Sequence, residues 1–116
     1  MRGWIGVDFD GTLAHYDKWR GIDHVGSPIP AMCDRVRKWL EEGREVKIFT
    51  ARVSNLKDES LMDAVKPIAA FCLKEFGRTL DITNIKDHRM EELWDDRAVQ
   101  VERNTGAVLG FSTRGL

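Results

Sequence analysis

The sequence is short of several features that would place it in a specialised class of protein. It has two cysteines, three prolines and three histidines among 116 residues, and its 18 basic residues are balanced by 19 acidic ones. Such a balance gives no basic field for nucleic acid or anionic lipid. No stretch reaches the length of a membrane span, and the first residues lack the apolar run of a signal peptide. We therefore expect a cytoplasmic protein with no membrane partner, for which nucleic acid is an open but unfavoured partner.

The scarcity of cysteine and histidine also argues against a zinc site. Cys33 and Cys72 lie in segments with helical patterning and have no metal-type spacing. Buried, reduced thiols are the expected state of both. The length and the 42% hydrophobic content suit one domain with one core. No linker, repeat or low-complexity stretch divides residues 1–116, so a single domain is predicted.

Strand-like apolar runs alternate along the chain with amphipathic helical patterns. Helical spacing begins at Pro30 and ends near Gly43, and a second helical region ends at Gly77. Within that region, Pro67 either begins a new helix or kinks a longer one. The alternation predicts an α/β fold, a Rossmann-like three-layer sandwich with a mostly parallel sheet covered on both faces. Strand-like runs cover 4–10, 45–50, 80–85 and 90–94, and a hairpin or an edge strand is predicted around 104–106.

Polar side chains follow three of these strand-like runs. Because ligands of parallel sheets bind beyond the carboxyl ends of the strands, we expect these side chains to meet at one edge. Two carboxylates brought together in the interior need a cation, a shared proton or both. For the first pair of acids, a plain Asp-Gly turn is the alternative. The residues are Asp8 and Asp10, Thr50 and Arg52, and Asp95 and Asp96, with Lys86 in the polar segment 83–87.

This set of side chains suits a phosphoryl group held beside a hard cation. Mg²⁺ takes oxygen ligands, commonly one or two carboxylates together with a substrate phosphate. An aspartate can attack phosphorus once a cation and a lysine neutralise the repelling charge, and a second carboxyl group can then move protons. Thr50 and Lys86 would hold the phosphoryl oxygens. For Lys86 a solvated surface lysine is the alternative. Arg52 either binds a substrate anion or pairs with a neighbouring acid.

Residues 4–97 resemble the haloacid dehalogenase superfamily of phosphatases and phosphotransferases, whose four motifs are matched in order. Asp8-Phe9-Asp10-Gly11-Thr12 resembles the first motif, Ile48-Phe49-Thr50-Ala51-Arg52 the second, Lys86 the third and Asp95-Asp96 the fourth. The resemblance implies that Asp8 is the nucleophile and Asp10 the general acid/base. It also implies that Mg²⁺ is held by Asp8, by the backbone carbonyl of Asp10 and by a fourth-motif acid. Asp95 is favoured over Asp96 for that last role, and the choice stays open.

The gaps between the motifs are too short for the folded cap domains of larger relatives, so an uncapped member is predicted. The expected function is Mg²⁺-dependent hydrolysis of a phosphomonoester of unspecified class, through an aspartyl-phosphate on Asp8. One alternative is a polynucleotide 3′-phosphatase, suggested by Trp19 and the basic residues Lys18 and Arg20. Another is a noncatalytic binding module. The resemblance also allows a homo-oligomer, because uncapped relatives often shape the site with a neighbouring subunit. The role of the loop 13–29, with His15 and His24, stays open.

Overall fold

The computed structural model describes residues 2–111, which contain two α-helices and six strands. A short 3₁₀ turn at Ala51–Val53 follows the second strand. The elements in chain order are β1 (Trp4–Val7), α1 (Pro30–Glu41), β2 (Glu45–Phe49), α2 (Asp58–Phe76), β3 (Asp81–Thr83), β4 (Met90–Trp94), β5 (Gln100–Val101) and β6 (Val108–Gly110).

Four of the strands form one parallel sheet in the order β3-β2-β1-β4. β1 lies between β2 and β4, and its last residue, Val7, pairs with Ile48 of β2 and with Trp94 of β4. Phe49 of β2 pairs with Thr83 of β3. The carboxyl ends of the strands therefore share one edge, and the chain changes direction across the sheet at β1, which is the topological switch point. The predicted α/β class, with a Rossmann-like parallel sheet, is confirmed.

Both α-helices pack on one face of this sheet. The crossovers through α1 and α2 advance in the same direction, and right-handed crossovers then place their helices on the same side. The buried core accordingly joins Val36 of α1 and Ile68 of α2 to Val7 of β1. Beyond β1, the ring of Phe9 meets Phe71 of α2 edge-on, with 5.1 Å between the centroids. These contacts fix the end of β1 and the first turn of the loop beyond it.

Within residues 2–111 the second face of the sheet is covered by side chains and a loop, not by a helix. Trp4 is fully buried on this face. Its indole N–H donates to Asp87 Oδ1 at 2.9 Å, and Lys47 Nζ lies 4.7 Å from the ring centroid. Because Asp87 belongs to the segment between β3 and β4, that segment folds over the sheet and supplies its second cover.

The second helical region is one continuous helix, α2, which contains Pro67. A proline inside a helix removes one N–H and leaves the carbonyl four residues earlier without its partner. That carbonyl belongs to Asp63, which is exposed, so water can satisfy it. The predicted stop at Gly77 is confirmed, since Gly77 adopts φ +74° as the C-cap. No helix in the described part of the chain is long and apolar enough to cross a bilayer.

The predicted hairpin is also confirmed. β5 and β6 pair antiparallel as a separate two-stranded sheet, and Asn104 and Gly106 in the connection adopt positive φ. Residues 1 and 112–116 lie outside the described part.

Candidate functional site

Three strands of the main sheet end at the candidate site, and the backbone ladder extends one residue beyond them. The Asp8 N–H donates to the carbonyl of Trp94, and the Thr50 N–H donates to the carbonyl of Thr83, both at 2.9 Å. Asp8 and Thr50 are therefore held by sheet pairing and not by loops alone. Asp95 directly follows β4, next to Asp8 across the strand pair.

Three carboxylates converge at this edge. Asp8, Asp95 and Asp96 each offer one oxygen, and these oxygens all lie within 4.8 Å of one another. Thr12 joins two of them, because its Oγ1 lies 3.2 Å from Asp8 Oδ2 and 3.3 Å from Asp96 Oδ1. The same Oγ1 accepts the Asp96 N–H at 3.2 Å. The structure thus brings together both acids of the Asp95/Asp96 pair, so the carboxylate group includes the two alternatives left open by the sequence.

Burial and the neighbouring acids change the proton affinity of Asp8. Burial raises the pKa of this carboxyl from 3.8 to about 8, assisted by the hydrogen bond with Asp96 and by the negative charges of Asp95 and Asp96. The Thr12 hydroxyl acts in the opposite direction. Without a cation, Asp8 therefore keeps a proton near neutral pH. A divalent cation would have to displace that proton to bind the carboxylate.

This raised pKa predicts how the stability of the metal-free protein depends on pH. Asp8 binds its proton more tightly in the folded chain than in the unfolded chain, so its favourable contribution is complete below about pH 4 and is lost as the pH rises to about 8. We expect Asp8→Asn, which cannot titrate, to gain about 1 to 2 kcal/mol over wild type between these limits, a value reduced for solvent screening. Urea unfolding in EDTA at both ends of the range measures the difference, and a constant difference would contradict the prediction.

Gly11 is the close neighbour that allows the three carboxylates to approach. It adopts φ +87°, and a Cβ placed on it would lie 2.6 Å from Asp96 Oδ2. A larger residue would therefore be strained and would also displace an acid of the site.

We expect Gly11→Ala to destabilise the protein by about 2 to 3 kcal/mol and to weaken any binding of Mg²⁺ at the carboxylate group. Gly43→Ala is the matched control, because Gly43 has φ +79° but nothing within 4 Å of its added Cβ. The Gly43→Ala variant therefore has the backbone strain without a steric clash, and this strain should lower the free energy of unfolding by about 1 to 2 kcal/mol. Urea unfolding and calorimetric titration with Mg²⁺ compare the two variants. Equal losses of stability together with unchanged Mg²⁺ binding would show that contact with Asp96 is unimportant.

Asp10 does not join the carboxylate group and forms an ion pair with Arg52. Arg52 Nε donates to Asp10 Oδ2 at 2.7 Å, and Nη2 donates to Oδ1 at 2.9 Å. The same guanidinium donates to the backbone carbonyls of Ile22 and His24 at 3.1 and 2.8 Å. Four of its five N–H groups are therefore engaged. This placement favours the ion-pair alternative for Arg52 over binding of a substrate anion. A metal contact through the backbone carbonyl of Asp10 stays a prediction.

A cavity of about 520 Å³ opens above these groups. Asp8, Asp10 and Thr50 line its floor, and Arg97 also lines it. Thr50 is buried, and its hydroxyl oxygen accepts a hydrogen bond from the backbone N–H of Arg52 at 3.2 Å. The walls come from the loop after β1 and from the turn after β2: Tyr16, Trp19, Ile22, Ala51, Arg52, Ser54 and Leu56. The site is thus a concave pocket with carboxylates at its base and apolar side chains around it.

Lys86 is not brought to this cavity. It is exposed in the segment between β3 and β4, and it lines a neighbouring depression together with Trp94 and Asp95. Lys86 and Asp95 therefore share a depression whose lining does not include Asp8 or Asp10. Contact between Lys86 and a phosphoryl group stays a prediction.

Several residues of the site were given no role by the sequence pattern. Thr12 is one, although its place in the Asp-x-Asp-Gly-Thr turn is a usable signal for a polar contact. Arg97 is another, and its backbone N–H donates to Asp95 Oδ1 at 2.7 Å. The loop histidines, His15 and His24, are exposed and do not line the cavity. Of the loop 13–29, the structure instead turns Tyr16 and Trp19 toward the cavity.

The two cysteines have no part in the site. Cys33 and Cys72 are free and buried, as predicted. Burial raises the pKa of the Cys72 thiol to about 11, so it is protonated at neutral pH and is a poor nucleophile.

The sequence matches no protein-family model, and no curated protein matches it. Among solved structures, a conserved protein from Bacteroides thetaiotaomicron is similar, with a TM-score of 0.53. The two share 19% identity, and the similarity covers 94% of this chain and 83% of that one. At this level of identity, the similarity supports the fold and carries nothing about activity.

Proposed function

We propose that this protein is a Mg²⁺-dependent phosphomonoester hydrolase that works through an aspartyl-phosphate on Asp8. The observation that carries the proposal is the convergence of Asp8, Asp95 and Asp96 beside a cavity into which Asp10 also faces. The resemblance of the four strand-end motifs to the haloacid dehalogenase superfamily supports the same assignment. No cap domain is part of the proposal, and the cavity is built from the loop after β1 and the turn after β2.

The donor chemistry fits a hard divalent cation. Asp8, Asp95 and Asp96 offer oxygen only, which suits Mg²⁺ and does not suit a soft metal. Burial raises the pKa of Asp8, with smaller contributions from the hydrogen bond with Asp96 and from the charges of Asp95 and Asp96, and a bound cation would favour the ionised carboxylate. When bound, Mg²⁺ would offset the negative charge of the phosphate and of the carboxylates.

Two half-reactions follow from the positions of Asp8 and Asp10. In the first, an oxygen of the Asp8 carboxylate forms a bond to phosphorus, and the bond from phosphorus to the ester oxygen breaks. To act as the acid, Asp10 would take up a proton, release one of its two contacts with Arg52, and pass the proton to the departing oxygen. In the second, Asp10 takes a proton from water as the water oxygen bonds to phosphorus. The bond from phosphorus to Asp8 then breaks, which releases phosphate and restores both residues.

Arg52, Thr50 and Arg97 have supporting roles in this proposal. Arg52 holds both oxygens of the Asp10 carboxylate, which fixes its orientation for the step in which it takes a proton from water. Thr50 and Arg97 line the cavity with polar atoms that can bind the phosphoryl oxygens. Lys86 would add a further positive charge if its side chain extended to the cavity.

The test is release of phosphate by the purified protein from a broad panel of phosphomonoesters, with Mg²⁺ and with EDTA. We expect turnover that is lost in EDTA and restored by excess Mg²⁺ but not by Ca²⁺, which favours a larger and looser oxygen shell. If the protein binds Mg²⁺ and turns over nothing across the panel, a noncatalytic binding module is the better account.

A further inference from the structure

The walls of the cavity carry more apolar surface than a bare phosphate needs. Tyr16, Trp19 and Ile22 come from the loop after β1, and Leu56 comes from the turn before α2. These side chains surround a floor of carboxylates. A pocket of this kind binds a ligand that has a charged group at one end and an apolar group at the other.

Trp19 is the more exposed of the two aromatic residues in this wall, and Arg52 contacts its ring. Its residue surface is 55% exposed, whereas Trp4 is fully buried. The guanidinium carbon of Arg52 lies 5.1 Å from the Trp19 ring centroid, so a cation covers one face of the indole. Arg52 is itself fixed by Asp10 and by the carbonyl of Ile22. One face of the indole therefore rests on a fixed group, while more than half of the residue surface is exposed and the residue lines the cavity.

We infer that the substrate is a small phosphomonoester whose leaving group carries a planar aromatic ring, and that this ring stacks on Trp19. A nucleoside monophosphate is the simplest molecule of this class. The inference rests on the proposed function, which places the phosphate at Asp8. Because Arg52 bonds Asp10 and also stacks on Trp19, the indole lies one guanidinium group away from the acid/base carboxylate.

Cavity size and charge agree with this substrate. A volume of about 520 Å³ lies within the range of sites for small ligands and leaves room for a phosphate together with one ring. Arg97 lines the same cavity and can offset the charge of the phosphate. A purine or pyrimidine would contribute its flat face to Trp19, which is the sequence-tolerant way in which aromatic side chains bind bases.

The test compares 5′-AMP with ribose 5-phosphate, which release the same type of primary alcohol and differ by the base. We expect wild-type kcat/KM to favour 5′-AMP by about 10-fold or more, because one base stacked on an aromatic side chain contributes about that much to binding. Trp19→Leu should reduce that preference to about 3-fold or less, and Trp19→Phe should retain most of it. The matched control is Phe111→Leu, because Phe111 is an exposed aromatic residue that lines the neighbouring depression. The preference of this variant for 5′-AMP over ribose 5-phosphate should equal that of wild type.

The outcomes separate this inference from the proposed function. Release of phosphate from both substrates with equal kcat/KM would overturn the inference and leave the hydrolase proposal intact. An equal loss for both substrates in Trp19→Leu would show that Trp19 acts only through Arg52, which also overturns the inference. A 3′-phosphorylated oligonucleotide hydrolysed faster than its mononucleotide would overturn the assignment of a small leaving group. No release from any phosphomonoester would defeat the proposed function itself.

Discussion

Asp8→Asn is expected to lower kcat/KM for phosphate release by at least about 1000-fold while the protein stays folded. An amide has no carboxylate oxygen to attack phosphorus, and it also removes one charge from the group with Asp95 and Asp96. Because that charge is costly in the metal-free fold, the same variant should be more stable than wild type at about pH 8. Lost activity together with gained stability is the pattern of a residue kept for chemistry and not for packing.

Steady-state kinetics with Mg²⁺ measures the first effect. Acid quenching followed by mass spectrometry of the peptide that contains residue 8 detects the phosphorylated intermediate. Asp34→Asn is the matched control, since Asp34 lies on the exposed side of α1 in a surface ion pair with Arg37 and should keep wild-type turnover. Turnover in Asp8→Asn equal to that of wild type would show that Asp8 is not the nucleophile.

Arg52→Met is expected to destabilise the protein by about 2 to 4 kcal/mol and to reduce kcat by about 100-fold. The substitution leaves Asp10 without its two guanidinium contacts and frees two backbone carbonyls of the loop after β1. The side chain of Arg52 is 5% exposed, so water replaces these contacts poorly. In the proposed mechanism the Asp10 carboxyl group moves the protons, so loss of its orientation should lower kcat.

Arg20→Met is the matched control for this prediction. Arg20 also makes two contacts with one carboxylate, that of Asp17, but both side chains are about half exposed. Its loss should change the free energy of unfolding by about 0.5 kcal/mol or less. In a double-mutant cycle, Arg52→Met and Asp10→Asn should show a coupling of at least about 1 kcal/mol. Additive effects in that cycle would contradict the role given to the ion pair.

The parts of the site that follow strands could be predicted from local pattern. Apolar runs ending in polar residues marked β1, β2 and β4, and the geometry of parallel sheets then placed Asp8, Thr50 and Asp95 at one edge. The structure confirms this arrangement because backbone pairing continues past the end of β1 and onto Thr50. For a residue that directly follows a strand, the position of the strand in the sheet is enough to predict where the residue lies.

Long side chains and loop residues could not be placed in the same way. The partner of Arg52 depends on where a loop forty residues earlier in the chain lies, which local pattern does not encode. The exposed position of Lys86 likewise follows from the way in which the segment before β4 folds over Trp4. Trp19 has a large apolar side chain of the kind usually found in a core. Its place in a cavity wall follows from its contact with Arg52.

The central position of β1 has a consequence for how the site is assembled. β1 pairs with β4 through residues that are more than eighty positions apart in sequence, so this pairing closes a long loop and is entropically slow. Asp95 and Asp96 reach Asp8 only when that last parallel pair forms. A cation that needs all three carboxylates would therefore bind the finished sheet and not its precursors. Bound to the completed sheet alone, it would stabilise that sheet by mass action over every chain in which β1 and β4 are unpaired.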